Sequence, residues 1–283
     1  MGRIRIVADS TCDLSDEIIR TYDITIIPLN IVLGMNSYLD GTEITPQEIY
    51  DWSDRMNTTP KTAAPEIGTV LEILRTMTEA KEDIIFFGIS EEMSVTCQVV
   101  RMAADELEYD RIWVVNSMNL STGIGLQVLR AARMAEEGIA AEVIISEIES
   151  ARDKVCASFV VDTLTYLQRG GRCSAVTALL GNTLKLKPMI AVKNGKMGVA
   201  KKYRGRQQAV IRSYAKELEV ELLQADPVRV FITHSGIDAM ILKETYDYLE
   251  GLHYFEEIQI TRAGGVISSH CGPNTLGILY YKK

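Results

Sequence analysis

Short continuous apolar runs alternate along this chain with stretches in which apolar residues recur every three or four positions. The runs at 3–8, 83–89 and 111–115 predict strands covered on both faces. Between them the helical period predicts helices over 67–80, 96–107 and 121–137. In the first of these Ile67, Val70, Leu71, Leu74 and Met77 share one face. Ser15 is placed to cap a helix that follows the first strand. Thr45-Pro46-Gln47-Glu48 combines a cap residue, a first-turn proline and an acid at the third helical position, a strong helix start. Pro28 divides the β-rich stretch 24–33 into two short pieces. A turn at 35–38 leads to another extended piece ending at Leu39, and 57–65 reads as loop. Strand–helix alternation of this kind predicts a parallel sheet with right-handed crossovers.

The pattern changes after Ala140. A helix to Arg152 leads to a strand over 155–161, then a short helix carrying Leu164 and Leu167 to a break at Gly170-Gly171. Residues 184–192 and 196–202 form an expected hairpin around Asn194-Gly195, a pair that favours the type I′ turn. Helices at 206–223 and 237–250 and strands at 228–232, 255–260 and 276–282 complete the chain. The expected fold is therefore α/β in two domains. An N-terminal parallel-sheet domain covers 1–160 and a C-terminal α+β domain covers 161–283, with the boundary within 155–165. Neither a repeat nor a low-complexity segment interrupts this reading.

Composition narrows the function. The 283 residues are 47% apolar and 24% charged, the balance of a globular protein. A formal net charge of −8 argues against a nucleic-acid footprint. The exception is the basic run Lys201-Lys202-Tyr203-Arg204-Gly205-Arg206, read as a solvated face or as a docking patch for an acidic partner. The five cysteines are scattered without a C-x-x-C, which fits neither a disulfide framework nor a zinc site. The first residues run straight into a strand, without the apolar core of a signal peptide. No apolar run approaches the roughly 20 residues that span a bilayer. A cytoplasmic monomer without membrane insertion is expected.

Candidate chemistry sits in polar clusters placed where strands should stop, which is where open α/β sheets bind ligands. They are 9–14, 61–65, 92–96 and 268–273, with a fifth at 166–172. Small hydroxyls, one histidine and two arginines can converge there on one anionic group. Neither an acid pair, a metal cluster nor a phosphate loop competes with them, so no cofactor is expected. Thr62 can donate to a carboxylate, or serve only as a loop or cap residue. Ser94 and Thr96 open a helix whose free N–H groups favour an anion. Ser94 can cap that helix and still face a cleft. Ser10 and Thr11 can reach a head group or fix their own loop through Asp9 and Asp13. His270, beside Gly272-Pro273, is expected on a tight turn. His234 is a weaker candidate and His253 a surface residue. Arg169 and Arg172 flank a glycine pair and suit bidentate recognition of carboxylate or phosphate, or an ion pair across the domain junction.

Taken together these motifs resemble the DegV family of bacterial fatty-acid-binding proteins, over almost the whole chain. The resemblance rests on Ala8-Asp9-Ser10-Thr11-Cys12-Asp13-Leu14, on Tyr166-Leu167-Gln168-Arg169-Gly170-Gly171-Arg172-Cys173-Ser174, on Leu184-Lys185-Leu186-Lys187-Pro188-Met189 and on His270-Cys271-Gly272-Pro273. It implies two domains around one long-chain fatty acid, with the carboxylate on small hydroxyls and the acyl chain in an apolar tunnel. It also implies a carrier without catalysis of its own, which presents the lipid to a fatty-acid kinase for acyl-phosphate formation and phospholipid synthesis. Thr62, Ser94, Thr96, His270 and Ser10 then become fatty-acid contacts, and Arg169 and Arg172 contacts to phosphate or to the kinase. The chain departs from the family pattern at Ala63-Ala64, where Ser-Gln is usual, and at Val95, where Gly is usual. Burial of about 0.8 kcal/mol per methylene lets an acyl chain of roughly 16 carbons supply most of the binding energy. The competing reading is a serine-dependent lipid ester hydrolase built on Ser94 and His270. Ser94 lacks the G-x-S-x-G elbow of such enzymes.

Overall fold

The computed structural model describes residues 2–173 and 186–283. Ser174 and the first two residues of the expected 184–192 strand lie outside the described residues. In chain order the first half runs β1 (Ile4–Asp9), α1 (Asp16–Thr21), β2 (Thr25–Ile27), β3 (Asn30–Leu33), β4 (Asn36–Leu39), α2 (Pro46–Met56), β5 (Lys61–Ala63), α3 (Ile67–Glu79), β6 (Asp83–Gly88), α4 (Thr96–Glu106), β7 (Ile112–Asn116), α5 (Thr122–Glu136) and α6 (Ala141–Ala151). The second half runs β8 (Val155–Val160), α7 (Thr165–Gly170), β9 (Leu186–Lys193), β10 (Lys196–Arg204), α8 (Gln207–Leu222), β11 (Ala225–His234), α9 (Ala239–Gly251), β12 (Glu257–Arg262), α10 (Gly265–Cys271) and β13 (Leu276–Lys282).

Local chemistry sets several boundaries. Ser15 Oγ accepts from Ile18 N at 3.3 Å and starts α1. At α2, Thr45 Oγ1 accepts from Glu48 N at 3.3 Å while Glu48 Oε2 accepts from Thr45 N at 2.8 Å. This reciprocal box satisfies two otherwise orphaned amides. The β9–β10 hairpin turns through Asn194 and Gly195, both at positive φ, as the type I′ geometry requires.

The strands form three sheets. One is parallel, in the order β2-β1-β6-β7. The second has six strands in the order β10-β9-β8-β13-β11-β12 and is mostly antiparallel, with β11 and β12 parallel. The third is the small antiparallel set β4-β3-β5. Helix α5 lies between the two large sheets and is buried on every side over residues 122–132, save Arg130. A helix apolar all round needs cover all round, and here both sheets supply it. Ile6, Phe87, Ile124, Val128, Phe159 and Leu279 therefore belong to one continuous core. The outer faces carry their own cores, under α3 and α4 on the first sheet and under α8 and α9 on the second.

Three expectations change. Residues 57–65 are not all loop, because Lys61–Ala63 pairs as β5 with β3, Thr62 lying opposite Ile31. Three residues carry no period of their own, so only the partner strand reveals this one. His270 does not sit on a tight turn but on the last turn of helix α10, which ends at Cys271, and the turn follows at Pro273-Asn274. The cap residue and the first residue of α10 are Gly264 and Gly265, poor helix formers. Their amides are satisfied from far away, Gly264 N by Asp13 Oδ1 at 2.8 Å and Gly265 N by Asp40 Oδ1 at 2.7 Å. Finally, β8 hydrogen-bonds to β9 and β13 inside the six-stranded sheet. A boundary after residue 160 would part this strand from its sheet, whereas one before Val155 keeps the sheet whole.

Candidate functional site

A cavity of about 500 Å³ opens between the two halves, beyond the carboxyl ends of β2, β6 and β7. Its floor is apolar, formed by Leu29, Ile89, Met93, Leu120, Met197 and Ile267, all buried. Its polar groups are Thr62 from β5, Ser94 from the loop before α4, His270 from α10, and Arg172, Glu91 and Glu92. Three devices hold these walls together. Asp9 Oδ2 accepts from Ile89 N at 2.8 Å and ties the end of β1 to the end of β6. Ser90 Oγ donates to Gly195 O at 2.7 Å, docking the hairpin tip on the loop that carries Ser94. Tyr50 Oη donates to Ser235 O at 3.0 Å, fastening α2 to the second half.

Two sequence motifs meet face to face beside the cavity. The ring of His270 packs so closely on Gly170 that a Cβ there would stand 2.2 Å from Nδ1. In return, a Cβ at Gly272 would stand 2.6 Å from the ring of Tyr166. The glycines of the 166–172 and 270–273 motifs thus let α7 and α10 interlock. Sequence reading marked Gly170-Gly171 only as the break after a short helix.

His270 Nε2 lies 2.8 Å from Thr62 Oγ1, and Nδ1 is buried without a hydrogen-bond partner among the described residues. Burial, reinforced by the nearby Arg172 charge, pushes the His270 pKa down to about 4, so the ring is neutral near pH 7. Arg172 is exposed, donates from Nη1 to Gly170 O at 2.8 Å, and is the only cation among the described lining residues. Glu91 and Glu92 at the mouth are paired outward, with Arg101 at 2.6 Å and Lys196 at 3.2 Å. Ser94 Oγ lies 2.8 Å from Thr96 Oγ1 and accepts from Thr96 N at 3.3 Å. Val95, not Ser94, occupies the cap position of α4, and its own side chain makes no capping hydrogen bond. Val95 has φ −87° and is 58% exposed, so its bulk meets solvent at the mouth and needs no glycine.

Thr62, Ser94, His270 and Arg172 therefore share one cavity, while Thr96, Ser10 and Arg169 lie off it. Thr96 is fully buried behind Ser94. Ser10 donates to Asp40 Oδ2 at 2.8 Å and accepts from Leu29 N at 3.1 Å, which fixes a floor residue. Arg169 is exposed on the last turn of α7. His234 accepts from Gly236 N at 3.1 Å, in a turn of its own, and His253 is exposed. Ser94 pairs with Thr96, His270 with Thr62, and His270 Nδ1 with nothing, so no Ser–His–carboxylate relay is assembled among the described residues. Sequence reading missed the apolar floor, whose residues look like any core, and Glu91 and Glu92.

Beneath α10 lie three buried carboxylates, Asp9, Asp13 and Asp40. Desolvation pushes Asp9 up to about 6 and Asp13 up to about 8, and raises Asp40 as well. Among the described residues no group of histidine, cysteine and acid side chains could hold a metal ion. No helix among them is long and apolar enough to cross a membrane.

Comparison with known proteins places this geometry. The family model described as the uncharacterised DegV family matches residues 3–283. A DegV domain-containing protein of Clostridium perfringens is 34% identical over 283 residues, covering 100% of both chains. The structure of a fatty-acid-binding DegV family protein from Thermus thermophilus superposes with a TM-score of 0.90 at 31% identity, over 99% of this chain and 100% of that one. A stearic-acid-binding protein from Eubacterium ventriosum gives 0.86 at 27% identity, over 100% of this chain and 99% of that one.

Proposed function

The chain belongs to the DegV family, and from that premise we propose that it binds one long-chain fatty acid in the cavity between its halves. The observation that carries this reading is the pairing of a buried apolar floor with Thr62, Ser94 and His270 in one cavity of about 500 Å³. That volume lies within the roughly 300–1,000 Å³ usual for small-ligand sites. The acyl chain lies on the floor, and the carboxylate meets the Thr62 and Ser94 hydroxyls. The positive dipole end of α4 adds a favourable field for the anion. Two relatives of similar structure are described as binding fatty acids, one of them stearic acid.

Organic extraction of protein purified from a bacterial host is expected to yield close to one long-chain fatty acid per chain. Added palmitate should raise the melting temperature of delipidated protein, by about 2.7 kcal/mol of stability at a hundredfold excess over Kd. No extractable lipid and no shift with palmitate or oleate would sink the reading. Thr62→Ala and Ser94→Ala should each weaken binding roughly ten- to hundredfold, the cost of about 1.5–3 kcal/mol for a hydrogen bond to a charged group. Unchanged affinity in both variants would move the head group elsewhere.

The same reading extends to a cytoplasmic carrier that presents its carboxylate to a fatty-acid kinase. Arg172 supports this, as an exposed cation on the lining that can meet phosphate or an acidic partner surface. Arg172→Ala is expected to keep palmitate affinity within about threefold while lowering acyl-phosphate formation with kinase and ATP by tenfold or more. If lipid affinity falls as far as transfer, Arg172 is a pocket residue and not a transfer residue.

A further inference from the structure

The position of Gly170 bears on the proton of His270. A Cβ at Gly170 would stand 2.2 Å from His270 Nδ1 and 3.0 Å from Cε1. The Cα–H bond that replaces it in glycine therefore points at Nδ1. A bare nitrogen lone pair accepts such a contact as a weak C–H hydrogen bond. A protonated Nδ1 would set hydrogen against hydrogen there. It would also leave a buried N–H unpaired, since Nδ1 is buried without a partner among the described residues. An orphaned buried N–H is the costlier of the two defects.

We infer that Gly170 holds His270 in its Nε2–H tautomer, so that His270 donates to Thr62 and frees the Thr62 hydroxyl proton for the cavity. A hydroxyl has one proton to give and two lone pairs. With Nε2–H donating over the 2.8 Å contact, Thr62 Oγ1 is an acceptor from the ring and keeps its proton for a carboxylate. With the opposite tautomer, Thr62 would give that proton to Nε2 and present only lone pairs to an anion. Ser94 is backed in the same manner. It accepts from Thr96 N, and Thr96 Oγ1 at 2.8 Å can supply the second donor. Each lining hydroxyl thus has a donor behind it, His270 and Thr96, and both are positioning residues. This inference rests on the fatty-acid reading for its consequence but not for its geometry.

The test is the imidazole nitrogen spectrum of uniformly 15N-labelled protein at pH 7, recorded without lipid and with one equivalent of palmitate. With only three histidines, His270→Gln assigns the resonances. The expected His270 pattern is a pyrrole-like Nε2 and a pyridine-like Nδ1 in both samples. A protonated Nδ1, or averaging between tautomers, overturns the inference. Thr62→Val should shift the Nε2 resonance and raise the palmitate Kd roughly tenfold or more, and Thr62→Ser should restore both. A Thr62→Val spectrum identical to wild type also counts against it. Gly170→Ala, where it folds, should lose the single-tautomer pattern and the tight palmitate binding together; retention of both clears Gly170 of the role. If that variant does not fold, the wild-type spectrum decides. Palmitate binding with Nδ1 protonated defeats this inference alone. An Nε2–H ring in a protein that binds no fatty acid defeats the functional reading alone.

Discussion

Gly272→Ala is expected to destabilise the protein by about 3 kcal/mol or more, the sum of a strained backbone and an overpacked contact. Gly272 has φ 73° and ψ 174°, a region open in practice only to glycine. The added methyl would also stand 2.6 Å from the Tyr166 ring. Tyr166 has little room to retreat, because Tyr50 packs edge-on against it with ring centroids 6.1 Å apart. Thermal unfolding should show a fall of roughly 6–12 °C, from about 2–4 °C per kcal/mol for a chain of this size class. Gly34→Ala is the comparison. Gly34 also has positive φ, 66°, but no atom of the described residues lies within 4 Å of its absent Cβ, so only the backbone cost of about 1–2 kcal/mol applies. Equal losses in the two variants would show that the Tyr166 contact contributes nothing.

Raising the pH from 6.5 to 9 is expected to cost stability, and Asp13→Asn to remove most of the part lost below pH 8. Asp13 is buried among the like charges of Asp9 and Asp40, and burial pushes it up to about 8. Its folded value exceeds its unfolded value near 3.8, so the folded state holds the proton longer. Its contribution is then full below about 3.8 and is lost as pH rises through about 8. Asp9, pushed up to about 6, acts in the same direction but is spent by neutral pH. His270 works in the opposite sense and in a separate window. Its folded value near 4 lies below the usual 6.5, so stability falls as pH drops from 6.5 towards 4. Between pH 6.5 and 8 Asp13 is therefore the group to watch, and towards pH 9 the buried thiols of Cys12, Cys97 and Cys271, which burial also pushes up, add to the loss. The asparagine keeps an oxygen to accept from Gly264 N, and its amide nitrogen, in place of the Oδ2 that accepts from Ser121 Oγ, reverses that bond and donates to the hydroxyl. Urea unfolding at pH 6.5, 7.5 and 9 measures the slope. A wild-type slope that survives in Asp13→Asn would place the titrating group elsewhere. The consequence reaches the site, because Asp13 holds the first amide of the helix whose last turn carries His270.

Much of this protein is legible in its sequence because the signals are local. The runs at 83–89 and 111–115 became β6 and β7, and the period over 67–80 became α3, since burial on two faces or on one writes itself into neighbouring residues. Ser15 and Thr45 with Glu48 mark their helices through bonds of three residues' reach. Asn194-Gly195 carries the left-handed geometry of its own turn. The placement of hydroxyl clusters at strand ends followed from the strands, and three of their members, Thr62, Ser94 and His270, line the same cavity.

Tertiary structure alone decided the rest. Helix α10 starts with two glycines and exists as a helix with its first amides on Asp13 and Asp40, one of them 251 positions away. Strand β5 is three residues long and takes its form from Ile31 across the ladder. Ser10 and Thr96 looked equal to Thr62 and Ser94, yet one hydroxyl turned to Asp40 and the other stands behind Ser94. The burial of α5 between two sheets joined halves that the pattern had kept apart. Composition and period report how a residue relates to its neighbours in the chain. Which glycine must yield to a histidine, and which carboxylate must cap a helix, depends on distances that exist only after the chain has folded.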